Sequence, residues 1–146
     1  MTEIQTKTTS PQDGNVLIQL KEAQSQFGYI PEKSIMEIAQ SLDLPVSEIY
    51  GVATFYSFLA VRPLGRNVIR VCASLPCYLK HSEMIIDALG NALGIKFGET
   101  TNDGRFSLEF TNCIGACDIA PAMLINGELH GNLTPDKIEQ ILKSYK

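Results

Sequence analysis

No stretch of this 146-residue chain holds an apolar run approaching the roughly 18–20 residues that a bilayer-spanning helix requires, so direct membrane insertion is not expected. The opening "MTEIQTKTTSPQDGN" lacks a basic start, an apolar stretch and a small-residue cleavage site. It therefore does not read as a secretory signal, and residues 1–14 are expected to be a flexible polar tail. The net charge is −4, with the two signs interspersed and no long run of either. That leaves no basic footprint for nucleic acid. Neither a G-x-G-x-x-G nor a Walker pattern is present, so this chain is not expected to bind a nucleotide by itself. Histidine is scarce: His81 and His130 stand alone, without the paired spacing of metal ligands, and read as surface or packing residues. Internal repeats and low-complexity segments are also lacking.

What is present is enough apolar residue, 45%, to build a core without disulfide stapling. Residues 16–63 read as helical. "VLIQLKEAQSQF" stops at Gly28, and Pro31 suits the first turn of a second helix. In that helix Ile35, Ile38, Ala39 and Leu42 fall on one face. Ile49, Val52, Ala53 and Tyr56 repeat the spacing in a third helix, ended by "RPLGR". After residue 66 the period changes. "NVIRVCA" reads as a strand ending at Cys72, and "SEMIIDALGNAL" as a helix capped by Ser82 and stopped at Gly94. An Asp103-Gly104 turn precedes the alternating Phe106, Leu108 and Phe110. "PAMLING" is a short strand with a turn at Asn126-Gly127, and a helix capped by Thr134, with Pro135 in its first turn, closes the chain. The class is α+β: a tail over 1–14, a three-helix layer over 15–65, and a β-α-β-β-α unit over 66–146.

The chemistry lies in four cysteines. Cys72 and Cys77 stand in "CASLPC", and Cys113 and Cys117 in "CIGAC". Cys72 and Cys113 both follow strands, so if those strands are neighbours all four sulfurs meet at one end of a sheet. Three occupants suit that set. Disulfides are one, although a chain without a secretory signal is expected in the cytoplasm, where thiols stay reduced. Structural zinc is another, although its usual knuckles are tighter. An iron–sulfur cluster held by four thiolates is the third. The loops lean toward the cluster. Gly115 lets backbone N–H groups approach closely, Ala73, Ser74 and Ala116 keep the loops slim, and Pro76 and Pro121 stiffen them.

"CASLPC" and "CIGACDIAPAM", preceded by "GETTNDGRFSLEF" and "VSEIYGVATFYSF", closely resemble the thioredoxin-like [2Fe–2S] subunit family. The family includes the small flavoprotein-associated subunit of NADH dehydrogenase (complex I). It also includes the equivalent subunits of NAD(P)-linked [FeFe]-hydrogenases and of NAD-dependent formate dehydrogenases. The resemblance implies a helical N-terminal part followed by a thioredoxin-like [2Fe–2S] ferredoxin domain, with Cys72, Cys77, Cys113 and Cys117 as the ligands of one [2Fe–2S] cluster. It further implies a flavin- and NAD(P)-binding iron–sulfur partner subunit that carries the FMN and the NAD(P), and a further iron–sulfur or hydrogenase subunit in the same complex. Asp118 follows the last cysteine where many complex I members have glycine, which leans the resemblance to the hydrogenase branch.

On this reading the chain is a non-catalytic electron-transfer subunit. It needs no acid, base or nucleophile of its own, and sets the cluster's potential through hydrogen bonds, charge and burial. Tyr78 and Lys80 are candidates for touching the partner. Phe55 and Tyr56 read as packing within the helical layer. Asp118 is either a nearby charge that tunes the cluster or a solvated turn residue. A free-standing ferredoxin-like carrier would have no evident use for some fifty residues of helical extension. A structural zinc-binding adaptor remains the alternative without redox chemistry.

Overall fold

The computed structural model describes residues 15–145. The chain divides into two compact units, with the division between Pro63 and Leu64. Among the described residues no helix is long and apolar enough to cross a membrane.

The N-terminal unit holds α1 (Val16–Phe27), α2 (Glu32–Leu42) and α3 (Val46–Phe55). The Asn15 side chain starts α1 by accepting the Leu17 N–H at 2.9 Å. Gly28 ends it at φ 77°, a left-handed conformation that glycine adopts without a Cβ penalty. Pro31 lies one residue earlier than expected, in extended backbone just ahead of α2 rather than inside its first turn. The core is made by Leu20 and Ala23 of α1, Ile35, Ile38 and Ala39 of α2, and Ile49 and Ala53 of α3, with Ile30 and Leu59 from the connections. Each fully buried aliphatic side chain contributes about 1.5–3 kcal/mol relative to exposure. The Gln24 amide secures the segment after α3: it donates to the Phe58 carbonyl at 2.8 Å and accepts the Ala60 N–H at 2.7 Å.

Tyr56 packs at the margin of this core, as expected of the third helix's apolar face. Phe55 does not. It is 77% exposed and meets only the edge of the Tyr56 ring, 5.0 Å away, because it falls on the outer side of the last turn of α3.

The C-terminal unit runs β1 (Asn67–Cys72), α4 (Leu75–Leu79), α5 (Ser82–Leu93), β2 (Phe106–Thr111), β3 (Met123–Ile125), β4 (Glu128–His130) and α6 (Pro135–Ser144), with a single 3₁₀ turn at Cys117–Ile119. The sheet order is β2-β1-β3-β4. β1 and β2 are parallel in a register that sets Asn67 beside Phe106 and Cys72 beside Thr111. β3 is antiparallel to β1 and to β4. Side chains alternate across a strand. Ile69, Val71, Phe106 and Leu108 thus share one face, where they bury with Met123, Ile125, Ile85 and Leu89 of α5, and Ile138 of α6. Arg70 and Cys72 point to the opposite face, as do Glu109 and Thr111.

Three local differences from the sequence reading have physical reasons. α4 is five residues long, too short to display a helical period. The Asn126-Gly127 turn, with φ 52° and 89°, is where expected, but it returns the chain into β4, whose three residues carry no alternation signal of their own. Ser82 does not cap α5. His81 occupies that position in a left-handed conformation (φ 64°), no side-chain cap bond forms, and Ser82 is buried as the first helical residue. Gly94 and Thr134 do end and begin their helices as expected, the Thr134 hydroxyl accepting the Lys137 N–H at 3.4 Å.

Candidate metal centre

The parallel register of β1 and β2 positions the cysteines. Two strands running in one direction, with Cys72 level with Thr111, must deliver Cys72 and the Cys113 loop to the same sheet end. Ala73 continues the ladder, its N–H donating to the Thr111 carbonyl at 3.0 Å. β1 then turns through Ser74 into α4, which carries Cys77 on its buried side. The chain returns from Cys117 along the other flank of β1, where the Cys72 N–H donates to the Ala122 carbonyl at 3.3 Å.

The sulfurs are arranged as two pairs. Cys113 Sγ and Cys117 Sγ lie 3.6 Å apart. The thiols of Cys72 and Cys77 are hydrogen-bonded to each other. The pairs also feel one another, since Cys117 interacts electrostatically with both Cys72 and Cys77. All four residues are free thiols. Among the described residues no group of three or more His, Cys, Asp or Glu side chains closes on a single ion.

Backbone donors converge on this sulfur cluster, as a site that must hold negative charge requires. Gly115, at φ 75°, aims its N–H at Cys113 Sγ, 3.4 Å away. Burial pushes the Cys72 thiol up, but hydrogen bonds from the Ser74 backbone, the Cys77 thiol, the Ile114 backbone and the Ser74 hydroxyl together bring it below the ordinary thiol value. Burial, partly offset by the Ala122 backbone, leaves Cys77 above its ordinary value, with the neighbouring Cys72 and Cys117 adding to the rise. Cys117 is raised first by its hydrogen bond to Cys113, then by burial and by the charges of Cys113, Cys72 and Asp118. Cys72 is thus predisposed to ionise, while Cys77 and Cys117 resist charging.

The pairs differ in access. Cys72 and Cys77 are buried, whereas Cys113 and Cys117 are exposed. Nothing in the spacing announces that asymmetry. Ser74, expected as a slim turn residue, supplies two of the hydrogen bonds to Cys72. The histidines stand apart from the set. His81 begins α5 and His130 lies 3.0 Å from the Tyr145 hydroxyl, and neither is among the groups acting on the cysteines. Tyr78 is exposed, its hydroxyl raised by a hydrogen bond to Glu83, and the Lys80 N–H donates to the Cys77 carbonyl at 3.1 Å. Leu75, Tyr78 and Leu79 form an outward apolar ridge on α4, each more than half exposed.

Four thiols in two pairs suit a binuclear cluster. Tetrahedral metal–thiolate bonds of about 2.3 Å put adjacent sulfurs about 3.8 Å apart, close to the observed Cys113–Cys117 separation. Comparison with known proteins reaches the same chemistry independently. Residues 1–146 match the model of one family, described as thioredoxin-like [2Fe–2S] ferredoxin. The chain belongs to that family. As a thioredoxin-like [2Fe–2S] ferredoxin it carries one [2Fe–2S] cluster, and its α+β fold with N-terminal helices is the one the resemblance implied.

Among similar members, an NADH-quinone oxidoreductase subunit of Escherichia coli (strain K12) is 46% identical over 127 residues, covering 87% of this chain and 76% of that protein. The like-named protein of Pseudomonas aeruginosa is 43% identical over 126 residues, covering 86% of this chain and 76% of that protein. NADP-reducing hydrogenase subunit HndA of Solidesulfovibrio fructosivorans is 35% identical over 133 residues, 91% of this chain and 78% of that one. Among solved structures, an NAD+-reducing [NiFe]-hydrogenase in the H2-reduced state superposes with a TM-score of 0.76 at 27% identity, covering 92% of this chain. This thioredoxin-like ferredoxin spans 22% of that hydrogenase chain.

Proposed function

We propose that this protein is an electron-transfer subunit of a multisubunit NADH-linked oxidoreductase, holding its [2Fe–2S] cluster through Cys72, Cys77, Cys113 and Cys117. The observation that carries the reading is the parallel β1–β2 register, which brings both cysteine loops to one sheet end. When bound, the cluster supplies one-electron storage, which complements a flavin that exchanges two electrons with a nicotinamide and one with an iron–sulfur centre. The chain's own residues grip, insulate and expose. The Ser74, Ile114 and Ala122 donors hold the inner sulfurs, Gly115 holds an outer one, and burial keeps water from Cys72 and Cys77. The exposed Cys113–Cys117 edge leaves a short path for an electron to a protein surface laid against it.

That surface belongs to a flavin- and NAD(P)-binding partner, on this reading, with a further iron–sulfur or hydrogenase subunit in the same assembly. The exposed Leu75, Tyr78 and Leu79 beside the site support a partner there, since contiguous exposed apolar residues of this kind mark interaction surfaces. The higher identity to NADH-quinone oxidoreductase subunits, 46% against 35% for the hydrogenase subunit, favours the complex I type of assembly. The hydrogenase type is supported by the fold likeness to the NAD+-reducing enzyme and by Asp118 after the last ligand. Anaerobic isolation of the native assembly, with iron and acid-labile sulfide analysis and native mass spectrometry, tests the proposal. The expected result is a two-iron centre on this chain and a flavin-bearing subunit bound to it. A metal-free or zinc-only chain overturns it, and the identities of the co-purifying subunits choose between the two assemblies.

A further inference from the structure

Arg70 and Glu109 form a charge pair on the two strands that lead to the cysteines. The two residues are direct register partners, Arg70 on the strand that ends in Cys72 and Glu109 on the strand that leads to Cys113. Both are half-buried. Alternation puts Arg70, Cys72, Glu109 and Thr111 on the same sheet face. Arg70 thus stands two residues, about 6.6 Å of strand, before the first sulfur. The guanidinium and the carboxylate interact directly through their charges. A half-buried charge pair on strands that lead to a redox centre carries a desolvation cost, and such pairs contribute little net stability.

We propose that Arg70 and Glu109 are opposed electrostatic controls on the potential of the cluster held at the four cysteines. Reduction adds one negative charge to the centre. The Arg70 cation favours the reduced form and raises the potential, while Glu109 favours the oxidised form and lowers it. Side by side they nearly cancel, so the potential rests on their balance. Their half-burial reduces screening relative to exposed charges such as Asp118. At an effective dielectric constant of about 20, one elementary charge changes a one-electron equilibrium tenfold or more out to about 12 Å, a range that takes in a position two residues along the strand. Both residues act as positioning residues, since neither is proposed to touch iron or sulfide.

The inference rests on the four-cysteine assignment, and the experiment separates the two. The full chain is purified anaerobically with its cluster, as wild type and as Arg70→Met, Arg70→Lys and Glu109→Gln, and titrated electrochemically with detection of the reduced centre by electron paramagnetic resonance. Arg70→Met is expected to weaken reduction about tenfold, a potential about 59 mV more negative for one electron. Glu109→Gln is expected to shift it by a similar factor in the positive direction, and Arg70→Lys to stay near wild type. Opposite shifts of threefold or more support the inference. Shifts of the same sign, or smaller than threefold, in variants that carry a full cluster overturn it. If Arg70→Met does not fold, Glu109→Gln alone decides: a positive shift of threefold or more supports the inference, and anything else overturns it. Absence of iron and sulfide from the wild type overturns the site assignment instead.

Discussion

The turn that carries Cys117 is tested most sharply by adding one methyl group to Gly131. A Cβ at that position would lie 2.8 Å from the Ile119 Cβ and 2.6 Å from its Cγ1, with Cδ1 closer still. Carbon atoms rest at about 3.5–4.0 Å, so the two stretches would have to part by most of an ångström. Rotating the Ile119 side chain away cannot relieve this, because its own Cβ is among the atoms met. Nor can the backbone yield freely, since the Asn132 N–H donates to the Ile119 carbonyl at 2.6 Å. Overpacking of this kind costs about 1–3 kcal/mol, and loss of that hydrogen bond adds about 1 kcal/mol. For a unit of this size a loss of about 2 kcal/mol lowers Tm by roughly 8–16 °C. Ile119 closes the 3₁₀ turn that opens at Cys117, so the strain falls on the outer cysteine pair as well. Gly131→Ala is therefore expected to melt early by circular dichroism and to lose its visible cluster absorbance faster than wild type. Adding Ile119→Ala should recover only part of both, because the Cβ contact stays. An unchanged melting temperature together with an unchanged bleaching rate would refute the reasoning.

Three further outcomes follow from the same structure. Cys113→Ser should abolish or strongly perturb the cluster's absorbance and paramagnetic spectrum while His81→Ala leaves both intact, and a normal spectrum in the Cys113 variant counts against the ligand assignment. Asn126→Ala should destabilise by about 2–3 kcal/mol in denaturant unfolding, because it removes the acceptor of the Val68 N–H at 2.9 Å and the donor to Asn67 Oδ1 at 2.9 Å and leaves an alanine at φ 52°; a loss under about 0.5 kcal/mol contradicts this. Tyr145 is pushed up to about 12 by burial and by the Glu128 carboxylate that accepts its hydroxyl. A raised folded-state value means that its contribution is complete below about pH 10 and is lost as pH climbs from about 10 towards 12. Unfolding measured across roughly pH 9–11.5 should show a steeper alkaline decline for wild type than for Tyr145→Phe, and parallel curves would remove Tyr145 from the account.

Much of this architecture could be read from residue patterns because long periodic elements announce themselves. α1, α2, α5 and α6 repeat their apolar residues over several turns, β1 is a compact β-branched run, and β2 alternates Phe106, Leu108 and Phe110 with polar residues. α4 and β4 escaped notice for one shared reason: elements of five and three residues are too short to carry a period, and their conformation is imposed by what they join. The false cap at Ser82 shows the same limit, since the left-handed backbone at His81 follows from the way α4 ends rather than from either residue's propensity. At the site, residue types and spacing were enough to expect both cysteine loops at one sheet end if the two strands were neighbours, and the parallel register supplies that condition. The uneven burial of the two pairs, the donors contributed by Ser74, and the Arg70–Glu109 juxtaposition depend on register and depth, which a linear pattern does not encode.

The lopsided placement of the four sulfurs also sets how such a centre would age. Dioxygen and peroxide reach Cys113 and Cys117 directly but meet packed side chains before Cys72 or Cys77. Decay in air is thus expected to start on the outer rim, with the inner half let go last. A protein lying over that rim would act as a shield as well as a conductor, and a copy left without its neighbour would be the first in the cell to need repair.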